Sequence, residues 1–167
     1  MKKNTWLLLI LLPLLVFVNP LFAVEDSIEF TPQHGFSGAS RGQGTLKLFF
    51  AKPRPFVVKN FGVTQSDGTF RLDQTITFQG EPPKNRFWIL SPNKNNHYSA
   101  TLSDAAGSVK GVTAGPYLSL HYRIKGLFYM HQQMQLSPDG KTIDNVGVVR
   151  LFGIPVGHLH EIIMRRP

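Results

Sequence analysis

Cysteine does not occur anywhere in the 167 residues of this chain. Its absence excludes disulfide bonds, thiolate metal ligands, a cysteine nucleophile and a lipid attached through an N-terminal cysteine. If the protein is exported, its fold therefore depends on the packing of its core alone. The length and the 42% share of hydrophobic residues give room for one domain with a substantial core.

Acidic residues are scarce as well, because 10 Asp and Glu stand against 18 Lys and Arg, for a net charge of +8. No spacing among so few carboxylates identifies a general acid and base, so we assign no catalytic residue. No glycine-rich phosphate loop precedes a helix, and no cofactor is predicted. The basic balance suits an anionic membrane surface as partner, although a solvated charge that keeps the protein soluble is the simpler explanation. We expect no nucleic acid partner, and the oligomeric state stays open.

The N-terminal segment has the three parts of a secretory signal. Lys2 and Lys3 give it a positive start, the apolar centre runs from Trp6 to Val18, and Ala23 is a small residue suited to cleavage. This pattern predicts a cleaved signal peptide at residues 1–23 and a periplasmic mature protein. The alternative is an uncleaved membrane anchor, but two prolines shorten the apolar run below the roughly 20 residues that a spanning helix needs.

The segment 24–35 is acidic and polar and is predicted to be an exposed lead-in, followed by a single domain at 36–167. In that domain, short alternating segments are separated by turn signals roughly every 8–12 residues, and no segment has convincing helical periodicity. This spacing predicts an all-β antiparallel up-and-down meander of about 8–10 strands that closes into a barrel. A barrel of this size is either filled by its own side chains or holds one small ligand.

The clearest strand pattern lies between Pro55 and Gly80. In its middle, Asp67 and Gly68 suit a tight hairpin turn, because glycine tolerates the positive φ that such turns need. The half after the turn alternates between apolar and polar side chains, so one face should be buried and the other wet. The face predicted to point into the barrel carries Phe70, Leu72, Ile76 and Phe78, with Gln74 as the polar exception.

Aromatic and methionine side chains on the other predicted strands are candidates to line an apolar pocket. The flexible thioether of methionine suits a pocket that adapts to its ligand. The alternative is a packed core that leaves no room for a ligand. The candidates are Trp88, Tyr98, Tyr122, Phe128, Met130 and Met134.

One short motif has the spelling of a hydrolase site. The residues from Gly38 to Gly42 match the G-x-S-x-G spacing of a nucleophile elbow around Ser40. That motif works because a strand followed by a helix thrusts the serine out beside an oxyanion hole. Since no helix is predicted here, we do not assign Ser40 as a nucleophile.

A pair of histidines has the spacing of two metal ligands. His158 and His160 lie two residues apart, hence on one face of a strand. A metal would also need a third ligand, such as His121, His131 or Glu161. The pair alone is a weak signal, so no metal site is assigned, with His158 and His160 as the only candidates.

With these strands in place, the chain resembles a bacterial domain-of-unknown-function family of small, lipocalin-like envelope proteins that are often labelled lipoproteins. The resemblance covers about residues 36–165 and rests on short motifs in a shared order. These are Phe36-x-Gly38, Gly42-x-Gly44, Asp67-Gly68-Thr69, Trp88, Tyr98, Gly107, Gly111, Asn145 and Phe152 to Gly157. The resemblance implies a lipocalin-like barrel and a place in the cell envelope, but no established activity. Lipoprotein relatives need a cysteine at the cleavage site, so anchoring by lipid is excluded here.

Three functional hypotheses follow. The leading one is a non-enzymatic periplasmic barrel that binds an apolar or amphipathic ligand, such as a lipid or another hydrophobic small molecule. The second is an envelope interaction module whose basic surface, including Lys52, Arg54 and Lys59, contacts anionic lipid or a protein partner. The third is a hydrolase or isomerase acting on a lipid-like substrate, which requires convergent polar groups inside the barrel, with His121 and His131 as the candidates; outward-pointing histidines would count against it.

Overall fold

The computed structural model describes residues 28–49 and 51–165. The predicted signal peptide lies outside these residues, and so do positions 24–27 of the predicted lead-in. Within the described part of the chain, no helix has the length and apolar character needed to cross a membrane.

One short helix and ten strands make up the described chain. The helix, α1, spans Pro32–Phe36. The strands are β1 (Gly38–Leu48), β2 (Arg54–Thr64), β3 (Phe70–Phe78), β4 (Lys84–Pro92), β5 (His97–Leu102), β6 (Val109–Ala114), β7 (Tyr117–Lys125), β8 (Phe128–Leu136), β9 (Thr142–Leu151) and β10 (Ile154–Arg165).

The ten strands form one closed antiparallel barrel in which each strand pairs with its neighbours in the sequence. The barrel closes at β1, where Leu46 is paired with Arg54 of β2 on one side and with Leu159 of β10 on the other. Closure satisfies the backbone groups that an open sheet would leave unpaired at its edges. The architecture confirms the predicted all-β up-and-down barrel, with a strand number at the top of the expected range.

The hairpin predicted at residues 55–80 is formed by β2 and β3. Gly68 has a φ of 83° at its turn. The Asp67 carboxylate accepts hydrogen bonds from the Thr69 backbone N–H at 3.0 Å and from the Thr69 hydroxyl at 2.7 Å, and these bonds lower the pKa of Asp67. The side chains predicted to point inwards do so: Phe70, Leu72 and Gln74 are buried, and Ile76 and Phe78 are half-buried.

Because successive strands run in opposite directions, the turns gather at two ends of the barrel. The closed end is the one at which β1 begins and α1 lies. The open end is the opposite one, with the turns that follow β1, β3, β5, β7 and β9.

The segment before β1 fills the closed end, which corrects the prediction of an exposed lead-in for its described residues, 28–35. Phe30 is 0% exposed, its ring lies 6.0 Å from that of Phe36, and its N–H donates to the Gly115 carbonyl at 2.7 Å. Thr31 caps α1 by accepting a hydrogen bond from the His34 N–H at 3.1 Å. The segment is polar in composition, but one aromatic ring is enough to anchor it in the core.

Below α1, the closed half of the barrel is packed. Its fully buried apolar side chains come from opposite sides of the barrel and include Phe70, Leu118, Leu136 and Ile143. The space left in this half is only about 30 Å³, which is the volume of about one water molecule.

Candidate functional site

The open half of the barrel contains a cavity of about 420 Å³. Its walls are mainly apolar side chains that point inwards from the strands on both sides. Among them are Leu46, Val58, Ile76, Phe78, Val149 and Leu159, while Lys84 and Asp104 lie at the open end. The interior of one continuous barrel is thus solid in one half and hollow in the other.

A layer of polar side chains forms the floor of this cavity. Arg86, Tyr122, Gln132 and Glu161 line the cavity, and all four also stand on the interior side of their strands. Arg86, Gln132 and Glu161 border the small space in the packed half as well, so the layer lies between the two halves.

One part of the floor is organised by Gln74. Its carbonyl oxygen accepts hydrogen bonds from Arg86 Nε at 2.8 Å and from Trp88 Nε1 at 2.7 Å. Its amide donates to Asn60 Oδ1 at 2.8 Å, and the Asn60 amide donates to the Ser40 hydroxyl at 3.1 Å. The buried amides of Gln74 and Asn60 each have a partner, and this series of hydrogen bonds orients the guanidinium of Arg86 at the floor.

The other part of the floor is a second chain of hydrogen bonds. The Tyr122 hydroxyl donates to Gln132 Oε1 at 2.8 Å, the Gln132 amide to Asn145 Oδ1 at 3.2 Å, and the Asn145 amide to Glu161 Oε2 at 2.9 Å. Burial raises the pKa of Tyr122 to about 12. Its hydroxyl therefore keeps its proton at neutral pH and donates a hydrogen bond, and each group in the series donates to the next one towards Glu161.

Glu161 ends this chain with one carboxyl oxygen unpaired. The residue is only 6% exposed, and its Oε1 atom is buried without a hydrogen-bond partner among the described residues. Gly42 provides the room, because a Cβ at that position would overlap Oε1. Burial raises the pKa of Glu161, against smaller opposing effects of the Asn145 hydrogen bond and the charge of Arg86. A carboxyl group with one unpaired oxygen at a cavity floor can hydrogen-bond a polar group of a ligand.

The structure divides the predicted lining residues between the two halves. Five of the predicted residues line the cavity: Ile76, Phe78, Tyr122, Phe128 and Met130. Those in the packed half are Phe70, Leu72, Trp88 and Met134, with Tyr98 half-buried against the same core. Gln74 belongs to the polar layer beneath the cavity. About half of the predicted set therefore belongs to the core rather than to the candidate site.

Sequence reasoning missed most of the polar floor. Gln132 and Asn145 interrupt apolar faces in the same way as Gln74, which is a signal that was available. Glu161 was harder to place, because the pairing of β10 with β9 shifts between Pro155 and Gly157. Such a β-bulge reverses the alternation of side chains along the strand, so strict parity assigns the wrong face beyond it.

The candidate histidines lie on the outer face of the barrel. His158 and His160 are exposed, and His160 Nε2 lies 2.9 Å from Asp144 Oδ1. In the described ranges, no group of three His, Cys, Asp or Glu side chains is placed to hold a metal ion. His121 and His131 face each other across β7 and β8, also exposed, with ring centroids 6.0 Å apart. The hypothesis of a hydrolase or isomerase that uses these histidines inside the barrel is therefore wrong.

Ser40 has a structural position. It is buried within β1, which continues as a strand beyond Gly42, so the G-x-S-x-G sequence does not form the strand-to-helix turn of a nucleophile elbow. The Ser40 hydroxyl serves as the last acceptor of the Gln74 hydrogen-bond chain.

A larger groove, of about 770 Å³, lies on the outer side of β2, β3 and β4. It is open to solvent, and its surface includes Lys59, Arg71 and Asp73, of which the last two form an ion pair at 2.7 Å. Arg71 also stacks over Phe87 at 4.4 Å. We place the candidate site in the interior cavity instead, because enclosed apolar walls with few polar groups are typical of small-molecule sites.

A closed up-and-down barrel with a half-empty interior defines the class of lipocalin-like barrel proteins. Within that class, the chain belongs to the family described as "Protein of unknown function (DUF3833)", whose model matches residues 22–166. No curated protein matches the sequence.

Solved structures with a similar fold include the following two. The S-type phycobiliprotein lyase CPES from Guillardia theta has a TM-score of 0.63 and 8% identity, over 78% of this chain and 88% of that one. A protein of unknown function from the DUF3598 family of Nostoc punctiforme has a TM-score of 0.61 and 14% identity, over 85% of this chain and 51% of that one. This chain thus spans about half the length of the second protein.

Proposed function

We propose that this protein is a non-enzymatic carrier that binds an amphipathic, lipid-like molecule in the cavity of the open half. The observation that carries the proposal is the cavity of about 420 Å³ with apolar walls and an unpaired buried carboxyl oxygen at its floor. Cavities of about 300–1,000 Å³ with this mixture of surfaces are typical of small-molecule sites.

The walls favour an apolar body in the ligand. Residues such as Val58, Ile76 and Leu159 present only hydrocarbon to the cavity, and Met130 adds an adaptable thioether. Each would gain contact and lose solvent on binding an alkyl chain. An entirely polar ligand would leave its own groups without partners along these walls.

The floor favours a polar group at the inner end of the ligand. Arg86 and Glu161 both line the floor, and Glu161 Oε1 has no hydrogen-bond partner among the described residues. A hydroxyl, amide or carboxylic acid group placed there would complete the hydrogen bonding of Glu161. The ligand class with an alkyl body and one such end includes fatty acids and fatty alcohols.

The proposed location is the periplasm. The N-terminal pattern of Lys2, Lys3 and an apolar run ending near Ala23 supports export and cleavage. An envelope location would also bring the protein to a plentiful source of lipid-like molecules. N-terminal sequencing of the protein recovered from a periplasmic extract tests both points; a chain that begins at Met1 in the cytoplasmic fraction contradicts them.

The ligand proposal is tested by native mass spectrometry after gentle purification, with solvent extraction of whatever is bound. We expect an adduct that is released on denaturation and that extracts as a lipid-like compound. A protein whose cavity is occupied only by water, and which does not take up an added fatty acid, contradicts the proposal.

A matched pair of variants on β9 tests whether the ligand binds in the cavity. Val149→Phe adds a ring to the cavity wall, whereas Val146→Phe adds the same ring on the outer face, where Val146 is exposed. We expect the first variant to lose at least nine tenths of the bound ligand and the second to keep it. Overpacking costs about 1–3 kcal/mol, so Leu159→Phe serves as a second blocking variant if Val149→Phe does not fold.

A further inference from the structure

The turns at the open end of the barrel expose large apolar side chains. Leu127 lies in the turn after β7 and Phe128 begins β8, while Phe152 lies in the turn after β9 and Ile154 begins β10; their exposures lie between 41% and 72%. The two turns are neighbours, because β8 pairs with β9 from Phe128 and Leu151 onwards. Together the four side chains form an apolar patch, and such patches on a soluble domain mark interaction surfaces.

Phe152 is displayed by an unusual backbone. Its φ is 50° and that of Gly153 is 81°, the combination that a two-residue hairpin turn requires. Asn or Gly normally occupies the first of these positions, since a bulky side chain is disfavoured there. The turn is held by a hydrogen bond of 2.9 Å from Arg150 Nη1 to the Gly153 carbonyl. An aromatic ring kept exposed in a disfavoured conformation indicates a functional use.

Basic side chains outnumber acidic ones at the same end. The exposed basic residues there include Lys47, Lys52, Lys84 and Arg123. The described acidic residues at this end are Glu81, whose charge is offset by its ion pair with Arg54, and the exposed Asp104. The turns of the closed end carry both signs, such as Lys94 and Lys141 with Asp67 and Asp139. The apolar patch and the excess of positive charge therefore coincide at one end of the molecule.

We propose that the open end docks onto a bilayer that contains anionic phospholipid. Leu127 and Phe152 enter the interface between headgroups and acyl chains, and the surrounding lysines contact the headgroups. Leucine and phenylalanine supply the apolar part of interfacial binding, and lysines near anionic lipid supply an electrostatic part. A bilayer matches the surface better than a protein partner does, because the cations surround the barrel mouth instead of forming pairs on one side.

Docking in this orientation turns the cavity mouth towards the membrane. Phe128 belongs to the exposed patch and also lines the cavity. A lipid-like ligand leaving the bilayer would therefore reach the cavity without crossing water. The docking does not rest on the proposed ligand binding, since Leu127, Phe152 and Lys52 lie outside the cavity.

The absence of cysteine in the chain allows a site-specific test. A nitrobenzoxadiazole label on Phe152→Cys reports the polarity around the open end, and the same label on Met164→Cys reports the outer face of the closed end, where Met164 is exposed. With vesicles that are about one-third phosphatidylglycerol, we expect about a twofold rise and a blue shift of emission at position 152 only. Each label reports its own surroundings, so the contrast does not depend on whether the leader is attached.

Charge variants test the electrostatic part. Replacing Lys47 and Lys52 with glutamine should raise the vesicle concentration needed for half of the response on the order of tenfold. The matched control replaces Lys94 and Lys141 at the closed end and should change it by less than about twofold, because those side chains stay more than a Debye length from the bilayer. Ile154→Cys provides a second label position if Phe152→Cys does not fold.

Three outcomes would overturn the proposal: equal responses at positions 152 and 164, the same response with pure phosphatidylcholine, or no response at position 152. The last of these is also the result expected if the patch binds a protein instead of a bilayer. In each case, retention of the adduct in native mass spectrometry would leave the proposed ligand binding standing.

Discussion

The closed and open halves of this barrel are built from the same ten strands with the same alternation, yet only one of them is filled. In the closed half, side chains such as Phe70 and Leu118, from opposite sides of the barrel, belong to one buried cluster, and Phe30 and Phe36 cover the end. In the open half, residues of similar character, such as Val58 and Ile76, face a cavity of about 420 Å³. The difference shows that an apolar inward face does not by itself produce a packed core.

Two features account for the difference. The closed end receives an extra aromatic plug from the segment before β1, and this plug comes from outside the sheet. The layer with Gln74, Gln132 and Glu161 then separates the packed half from the hollow one. Its members are satisfied by one another, apart from Glu161 Oε1, so the floor is rigid without being apolar.

The largest expected loss of stability follows from removing the aromatic ring with which the segment before β1 fills the closed end. Phe30→Ala removes a completely buried ring and should lower the free energy of unfolding by about 3–5 kcal/mol. Phe152→Ala removes the same kind of ring from a position that is 72% exposed, and it should change the free energy of unfolding by less than about 0.5 kcal/mol. Urea unfolding followed by circular dichroism measures both. Similar losses for the two variants would show that the segment at residues 28–36 does not stabilise the closed half.

A second pair of variants compares the halves directly. Leu118→Ala, in the packed half, should cost about 3 kcal/mol, because the surrounding side chains cannot close the hole that it leaves. Leu159→Ala, on the cavity wall, should cost about 1 kcal/mol, because Leu159 is half-buried and already lacks partners on one side. The same urea measurement on ligand-free protein decides the order. Equal losses would mean that the open half is packed in solution.

The third and smallest effect concerns the cavity floor and depends on pH. Because burial raises the pKa of Glu161, its contribution to stability is present below the ordinary value of 4.5 and is lost as the pH rises through the pKa of the folded state. Glu161→Gln keeps the shape but cannot ionise. We expect it to match the wild type near pH 4 and to exceed it by on the order of 1 kcal/mol near pH 8.

The control for this experiment is Glu81→Gln at the open end, which removes a surface carboxylate paired with Arg54. It should change stability by less than about 0.5 kcal/mol at either pH. A Glu161→Gln variant that is less stable than the wild type at high pH would show that the ionised carboxylate is stabilised at the floor, against the direction argued above.

Much of the fold was predictable because it depends on local patterns. The β2–β3 hairpin follows from Asp67 and Gly68 together with the alternation that begins at Phe70, and the closed barrel confirms the prediction of successive short hairpins. The prediction of an exposed lead-in failed, because the burial of Phe30 depends on residues that are distant in sequence. The inward position of Glu161 was not predicted, because the bulge near Gly157 interrupts the alternation along β10.

Where a strand has no bulge, the sequence by itself determined which side faces inwards, because alternation is a property of the strand backbone. It did not determine how far along the barrel axis each inward side chain lies. That position depends on the register of ten strands and on closure between β1 and β10, which no single segment encodes. Only the tertiary structure decided that Trp88 and Met134 belong to the core, that Ile76 and Met130 line a cavity, and that Glu161 lies between the two.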